Sequence, residues 1–158
     1  MIRIGFGKDI HSFIIGKPLV LGGVTIPYLQ GLDAYSDGDV VIHSVCDALL
    51  GSLALGDIGV IFPNSDVVNK NRNSMEFLKI VNQMVKDRKY HINNIDISIT
   101  CEEPKLSKYY ENMRGSMALI LGINIIQISV KAGTNEGLDA IGNKEGIESE
   151  CVALVESD

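Results

Sequence analysis

The chain has no tryptophan, three cysteines and fewer cations than anions. Each shortage narrows what it can be. With 14 Lys and Arg against 20 Asp and Glu, the formal net charge is −6. Nucleic-acid binding rests on cations that neutralise phosphates, so no nucleic-acid partner is expected. An anionic substrate would also have to find positive charge elsewhere, and a bound metal ion is one source. Cys46, Cys101 and Cys151 are odd in number, far apart and free of any CxxC pair. That pattern predicts reduced, buried thiols in a cytoplasmic protein rather than a disulfide framework. Cys46 lies three residues after His43 and is a candidate ligand, although a packed helix thiol is the simpler reading.

Long apolar runs are also missing. The most apolar stretch, MALILGINIIQISV (117–130), is broken by Gly122, Asn124 and Gln127. It is too short to span a bilayer, so no membrane association is expected. Arg3, Lys8 and Asp9 interrupt the first ten residues, so no secretory leader is expected there. No repeat, low-complexity run or linker divides the chain. One domain over 1–158 is the expectation.

What is present is an ordinary globular composition, 46% apolar and 22% charged. Residues 2–6 read as a strand, and 17–28 as two short strands around Gly22-Gly23. A polar loop follows through Ser36. The spacing of Val41, Val45, Ala48, Leu49 and Leu53 predicts a helix from Asp37 to about Leu55, with Ser36 or Asp37 as its N-cap. The glycine- and proline-marked run 55–66 should be a loop. A second helix, capped by Asn73 or Ser74, should run to about Lys89. Residues 92–103 alternate into a strand, and a third helix should end at Leu121 with Gly122 beyond it. A strand at 125–132, a loop or short helix at 133–146 and a closing strand at 148–157 complete the order. One-sided helical stripes alternating with strands suggest a mixed sheet with helices on one face. Its other face would be left to a partner subunit or to solvent.

The segment GKDIH raises the question of chemistry. In an extended chain Asp9 and His11, two apart, point to one face at a spacing suited to a small cation. A solvated strand end is the alternative. A third ligand candidate, His43, sits in SDGDVVIHSVCDALLG (36–51). Asp39, His43 and Asp47 follow at i, i+4 and i+8 on one helix face, where a carboxylate can orient the imidazole, or simply face solvent. Asp9, His11 and His43 together form the N/O set of a catalytic zinc site with one open position. Glu136 lies after a strand, among Gly133, Thr134, Asn135 and Gly137. A carboxylate there suits Mg²⁺ on a diphosphate, although an ordinary polar loop is the simpler reading of these residues alone.

These segments resemble the 2-C-methyl-D-erythritol 2,4-cyclodiphosphate synthase family. SDGDVVIHSVCDALLG is similar to its signature and IGFGKDIHSF to its opening metal segment. LGGVTIPY followed by GLDAYSDGD keeps the family's order. LGDIGVIFPNSD resembles its substrate loop, and EEPKL with KAGTNEGL its nucleotide segments. The similarity runs from residue 2 to 155.

The resemblance implies an α/β (α+β) single domain that trimerises through its sheet, with active sites between subunits. It implies 4-diphosphocytidyl-2-C-methyl-D-erythritol 2-phosphate as substrate, a cyclic diphosphate product and release of CMP. Matched by position, Zn²⁺ falls to Asp9, His11 and His43, and Mg²⁺ or Mn²⁺ to Glu136. Tyr35 and Thr134 fall at catalytic places, with Ser36 beside them. Asp57, Ile58, Gly59, Phe62, Pro63, Asn64, Ser65 and Asp66 match segments that contact ribose and methylerythritol. Cys101, Glu103, Pro104, Lys105 and Leu106 match the cytosine pocket. Gly133 and Asn135 flank the phosphate position. No covalent nucleophile is implied, since two cations suffice to hold one phosphate near another. Departures stand out. Tyr35 replaces the family's usual His, and Asn64 its usual Asp. Ala140 and Asn143 stand where an aromatic and an Arg commonly line a central cavity for an isoprenoid diphosphate. Such a ligand is therefore not expected here unless Lys8 or Lys144 restores the charge.

Overall fold

Strand β1 (Ile2–Ile15) carries its large apolar side chains on the wrong face for a conventional core. Ile2, Ile4, Phe6 and Ile10 point outward and are exposed, whereas Gly5 and Gly7 are buried. The reason is helix α1 (Val40–Ser52), which lies directly on the inward face of β1. A Cβ on Gly5 would stand 1.8 Å from the Ala48 carbonyl oxygen, and one on Gly7 2.0 Å from that of Ser44. Only glycine permits backbone to approach backbone this closely. Asp9 and His11 follow on the same inward face.

The computed structural model describes residues 1–157. Two short strands, β2 (Leu19–Leu21) and β3 (Val24–Ile26), form a separate hairpin. Its two-residue turn places both Gly22 and Gly23 at positive φ, as a type I′ turn requires. A further strand, β4 (Gln30–Leu32), pairs with the end of β1. Beyond α1 come a short helix α2 (Ile58–Ile61), the amphipathic helix α3 (Ser74–Asp87) and strand β5 (His91–Thr100). Helix α4 (Tyr110–Leu121), strand β6 (Ile128–Gly133), the short helix α5 (Asp139–Gly142) and strand β7 (Gly146–Glu156) complete the chain. The five-stranded sheet has the order β4-β1-β7-β5-β6. Only β5 and β6 run parallel, and α4 bridges them. The fold is α+β, one mixed sheet with helices on one face, as expected. Its core interleaves Ile95, Ile97, Ile99, Ile147, Cys151, Ala153 and Val155 of the sheet with α1, which is buried almost all round. All three cysteines are free and buried, which agrees with reduced core thiols.

Four expectations need correction. β1 runs nine residues beyond the predicted strand, to Ile15, because β7 pairs with it as far as Ser12. The N-cap of α1 is Asp39, not Ser36 or Asp37; its carboxylate accepts from Ile42 N–H. The run 55–66 contains α2, capped by Asp57. Residues 125–127 form a 3₁₀ turn closed by an Asn124–Gln127 capping box, so β6 starts only at Ile128. The caps at Asn73 and Gly122 stand as read.

The close approach of α1 to β1 is directly testable. Gly7→Ala should cost about 3 kcal/mol or more, because backbone has to move. Gly51→Ala, whose Cβ would meet only the Phe6 carbonyl oxygen at 3.8 Å, should be neutral or stabilising by up to about 1 kcal/mol. Denaturant unfolding of both variants decides; equal effects would contradict the packing argument.

Candidate metal centre

The tight α1–β1 contact sets His43 of the helix above Asp9 and His11 of the strand. One ligand atom from each residue lies within 4.8 Å of the other two. The Asp9 Oδ2 atom is 2.9 Å from His11 Nε2 and 2.8 Å from His43 Nδ1. The two imidazole nitrogens are 3.3 Å apart, with the rings nearly perpendicular. Two ligands each about 2.05 Å from a zinc ion, at a tetrahedral angle, stand about 3.3 Å from one another. The donor set and the nitrogen spacing therefore fit a tetrahedral N/O metal site. No other group of three such side chains converges among the described residues.

The electrostatics fit as well. Burial acts to raise the Asp9 pKa, but hydrogen bonds and charge from His11 and His43 outweigh it and hold the carboxyl well below the usual range. Burial acts to lower the His43 pKa, and the Asp9 hydrogen bond and charge reverse that, so the imidazole is held above its ordinary value. Cys46 is not part of the cluster; full burial pushes its thiol well up and leaves it a core residue.

The acids flanking His43 on its own helix do other work. Asp39 is fully buried and accepts from Gly22 N–H (2.9 Å), Gly23 N–H (2.7 Å) and Ile42 N–H (3.1 Å). It ties the β2–β3 turn to the start of α1, although burial lifts its pKa to about 6. Asp47 accepts from Ile58 N–H at 2.8 Å and anchors α2. Neither orients His43. The far side of that ring instead meets Ser74 Oγ at 2.8 Å and Ser36 Oγ at 3.2 Å from Nε2. Ser74 donates in turn to Asp37.

The trio opens into a pocket of about 190 Å³. Tyr35, Ser36, Ile58, Gly59, Phe62 and Asn64 line it, as the family positions suggest, together with Ala34, Asn69 and Phe77. Phe62 stacks on Phe77 with centroids 4.3 Å apart and pins the loop to α3. No Lys or Arg is among these lining residues. Asp57, Pro63, Ser65 and Asp66 stay out of the wall. Asp57 and Asp66 cap local turns, Pro63 offers its carbonyl oxygen to Asn69, and Ser65 is exposed.

A second pocket, also about 190 Å³, is lined by Cys101, Pro104, Lys105, Leu106, Gly133 and Thr134, with Glu102 and Tyr110. Glu103 turns aside to pair with Lys144 at 2.6 Å. Glu102 shapes the rim by accepting from Asn135 N–H (2.8 Å) and Gly137 N–H (3.3 Å). Thr134 donates to the exposed Glu136 carboxylate at 3.2 Å. The two pockets share no lining residue, so one chain does not bring Glu136 into the pocket of the metal trio. Lys8 pairs with Glu148 (3.0 Å) and Glu150 (3.6 Å) on the outer sheet face. Both lysines considered for a central cation ring are thus already engaged.

Sequence reasoning missed Ser74, Asp37, Asn69 and Phe77. Ser74 was visible only as a possible helix cap; nothing local told that its hydroxyl reaches a histidine 31 residues away.

Comparison with known proteins agrees with this geometry. The model of the YgbB family matches residues 2–156. A 2-C-methyl-D-erythritol 2,4-cyclodiphosphate synthase from Acinetobacter baumannii (strain SDF) is 52% identical over 154 residues, covering 98% of this chain and 96% of its own. One from Francisella philomiragia is 48% identical, covering 97% of each. Among solved structures, the bifunctional IspDF from Campylobacter jejuni superposes with a TM-score of 0.96 at 40% identity. It covers all of this chain, which spans only 43% of that longer protein. IspF from Plasmodium falciparum, in a CDP complex, gives 0.88 at 37% identity, covering 99% of this chain and 97% of its own.

Metal binding here must displace the proton shared by Asp9 and His43. Because the His43 pKa is raised above its ordinary 6.5, that proton competes already near neutrality and more strongly below it. Zinc affinity should therefore fall as pH is lowered through the His43 pKa, by about tenfold per pH unit for each proton displaced. Calorimetric titration of the metal-free protein between pH 8 and 5.5 measures this, and a flat profile would contradict it.

Proposed function

The chain belongs to the YgbB family, its activity is that of a 2-C-methyl-D-erythritol 2,4-cyclodiphosphate synthase of isoprenoid biosynthesis, and we propose how its own residues carry that reaction. The substrate is 4-diphosphocytidyl-2-C-methyl-D-erythritol 2-phosphate. An oxygen of its 2-phosphate attacks the β-phosphorus, the bond from that phosphorus to the bridging oxygen breaks, and CMP leaves with that oxygen. The product is the 2,4-cyclodiphosphate.

Asp9, His11 and His43 would hold zinc, and this convergence is the observation that carries the reading. Glu136, with Thr134 beside it, would hold Mg²⁺ or Mn²⁺ on the diphosphate. When bound, the two ions supply Lewis-acid charge that offsets phosphate–phosphate repulsion. No Lys or Arg lines the metal pocket of one chain, so positive charge supplied there by the ions fits the reading. Tyr35 offers a phenol hydroxyl to the substrate from the pocket wall, in place of an imidazole. Pro104, Lys105 and Leu106 wall the second pocket, which has room for cytosine. Thr134 Oγ1 orients the phosphates at its rim.

The chain is a homotrimer in this reading, and cytoplasmic. No helix among the described residues is long and apolar enough to cross a membrane. Two features support the trimer. Ile2, Ile4, Phe6, Ile10 and Val152 leave an apolar outer sheet face uncovered. Glu136 is also exposed outside the pocket of the metal trio, and a neighbouring subunit can bring the two together.

One alignment favours a second reading. Ser36 Oγ, His43 and Asp9 stand in the order hydroxyl, imidazole and carboxylate of a serine hydrolase. Ser74 meets the same His43 nitrogen more closely, however, and Ser36 is buried. A metal phosphodiesterase would need a base beside the open metal position. Tyr35, Ser36, Asn64 and Asn69, the polar wall residues outside the trio, supply none.

Incubation of the zinc- and magnesium-loaded protein with the cytidyl substrate separates these readings. CMP with the cyclic diphosphate is expected. CMP with linear phosphates would indicate hydrolysis, and no turnover would overturn the enzymatic reading.

A further inference from the structure

The side of His43 that faces away from Asp9 and His11 opens onto a buried chain of hydrogen bonds. Its Nε2 lies 2.8 Å from Ser74 Oγ, and Ser74 is fully buried. The Ser74 hydroxyl reaches Asp37 Oδ1, and the Ser74 N–H reaches Oδ2 of the same carboxylate at 2.9 Å. The Asp39 N–H adds a further bond to Asp37 Oδ1 at 3.1 Å. Asp37 thus lies at the N-termini of both α1 and α3, where unpaired N–H groups and the helix dipoles stabilise a carboxylate.

We propose that Ser74 and Asp37 are positioning residues for metal binding. They form a relay in which His43 Nε2–H donates to Ser74 Oγ and Ser74 O–H donates to Asp37, leaving the His43 Nδ1 lone pair aimed at the metal. Donor and acceptor supply dictates this arrangement. His43 is nine-tenths buried or more, so both ring nitrogens need defined partners. A serine hydroxyl can accept from the ring only when its own proton goes elsewhere, and Asp37 takes that proton. Without the carboxylate, Ser74 is free to donate to Nε2 instead. That would favour the tautomer with its proton on Nδ1, the atom that has to bind the metal. The relay therefore selects the metal-binding tautomer. It also clamps α3 to α1, so that Phe77 of α3 closes the pocket beside the ring, with centroids 6.2 Å apart. Ser36 Oγ, at 3.2 Å from the same nitrogen, is a longer secondary contact. Metal-bound histidines commonly carry such a partner, whose loss weakens binding about 10–100-fold.

This inference rests on reading Asp9, His11 and His43 as a metal site, and the test separates the two. Zinc affinity is measured by competition with a chromophoric chelator for the wild-type protein, Ser74→Ala and Asp37→Asn. The His43 Nε2–H proton is followed by NMR of the zinc-loaded protein. The relay predicts a slowly exchanging Nε2–H resonance in the wild type, absent in Ser74→Ala. It also predicts zinc affinity about 10–100-fold weaker in Ser74→Ala. Asp37→Asn touches no ligand and keeps the side-chain shape; it should weaken zinc in the same direction by less. Should Ser74→Ala fail to fold, Asp37→Asn decides alone. Wild-type protein that takes up no zinc overturns the metal reading and the relay with it. Wild-type protein that binds zinc no better than Asp37→Asn, or than a folded Ser74→Ala, overturns the relay only.

Discussion

The distance between helix α1 and strand β1 governs this molecule. Two glycines at alternate positions, Gly5 and Gly7, let the carbonyl oxygens of Ala48 and Ser44 descend onto the sheet. Side chains there would lift the helix away. At that spacing, His43 on the helix and Asp9 and His11 on the strand come within bonding reach of one point. The metal trio is therefore a product of backbone packing as much as of ligand identity. The cost of placing three ionisable groups in a half-buried cleft is offset mutually, since each imidazole lies against the one carboxylate oxygen.

The same packing turns β1 inside out. With glycine, Asp and His used inward, the bulky residues Ile2, Ile4, Phe6 and Ile10 remain for the outer face. That face grades from apolar at the start of β1 to charged near Lys8, Glu148 and Glu150. An isolated chain would expose it. The trimeric reading gives the apolar rows a partner and joins the two half-sites. Lys8, already held by two glutamates, and Lys144, held by Glu103, bring no free cation ring with them.

Much of this was legible in the sequence where the signal was local. The i, i+2 pair Asp9–His11, the Gly22-Gly23 turn, the Asn73 cap and the Gly122 terminus depend on a few neighbouring residues, and each was read correctly. The signature around His43 located its helix, and through resemblance it suggested the metal role proposed for the trio. What failed depended on distant partners. Asp39 and Asp47 share a helix face with His43, yet the β2–β3 turn and α2 offered them backbone N–H groups, and those won. The partners that do reach His43 come through Ser74, whose position against α1 exists only once α3 has packed. Inverted burial along β1 was equally hidden, because periodicity shows that two faces differ but not which one is covered.

In the proposed reading one strand and one helix, pressed together by glycines, build a single N/O metal centre. Zinc K-edge X-ray absorption of the stoichiometrically loaded protein reads out that ligand set. A nitrogen and oxygen shell at about 2.0–2.2 Å is expected, with scattering from two imidazoles and no sulfur neighbour at about 2.3 Å. A sulfur shell, which would implicate Cys46, or a spectrum without imidazole scattering would contradict it.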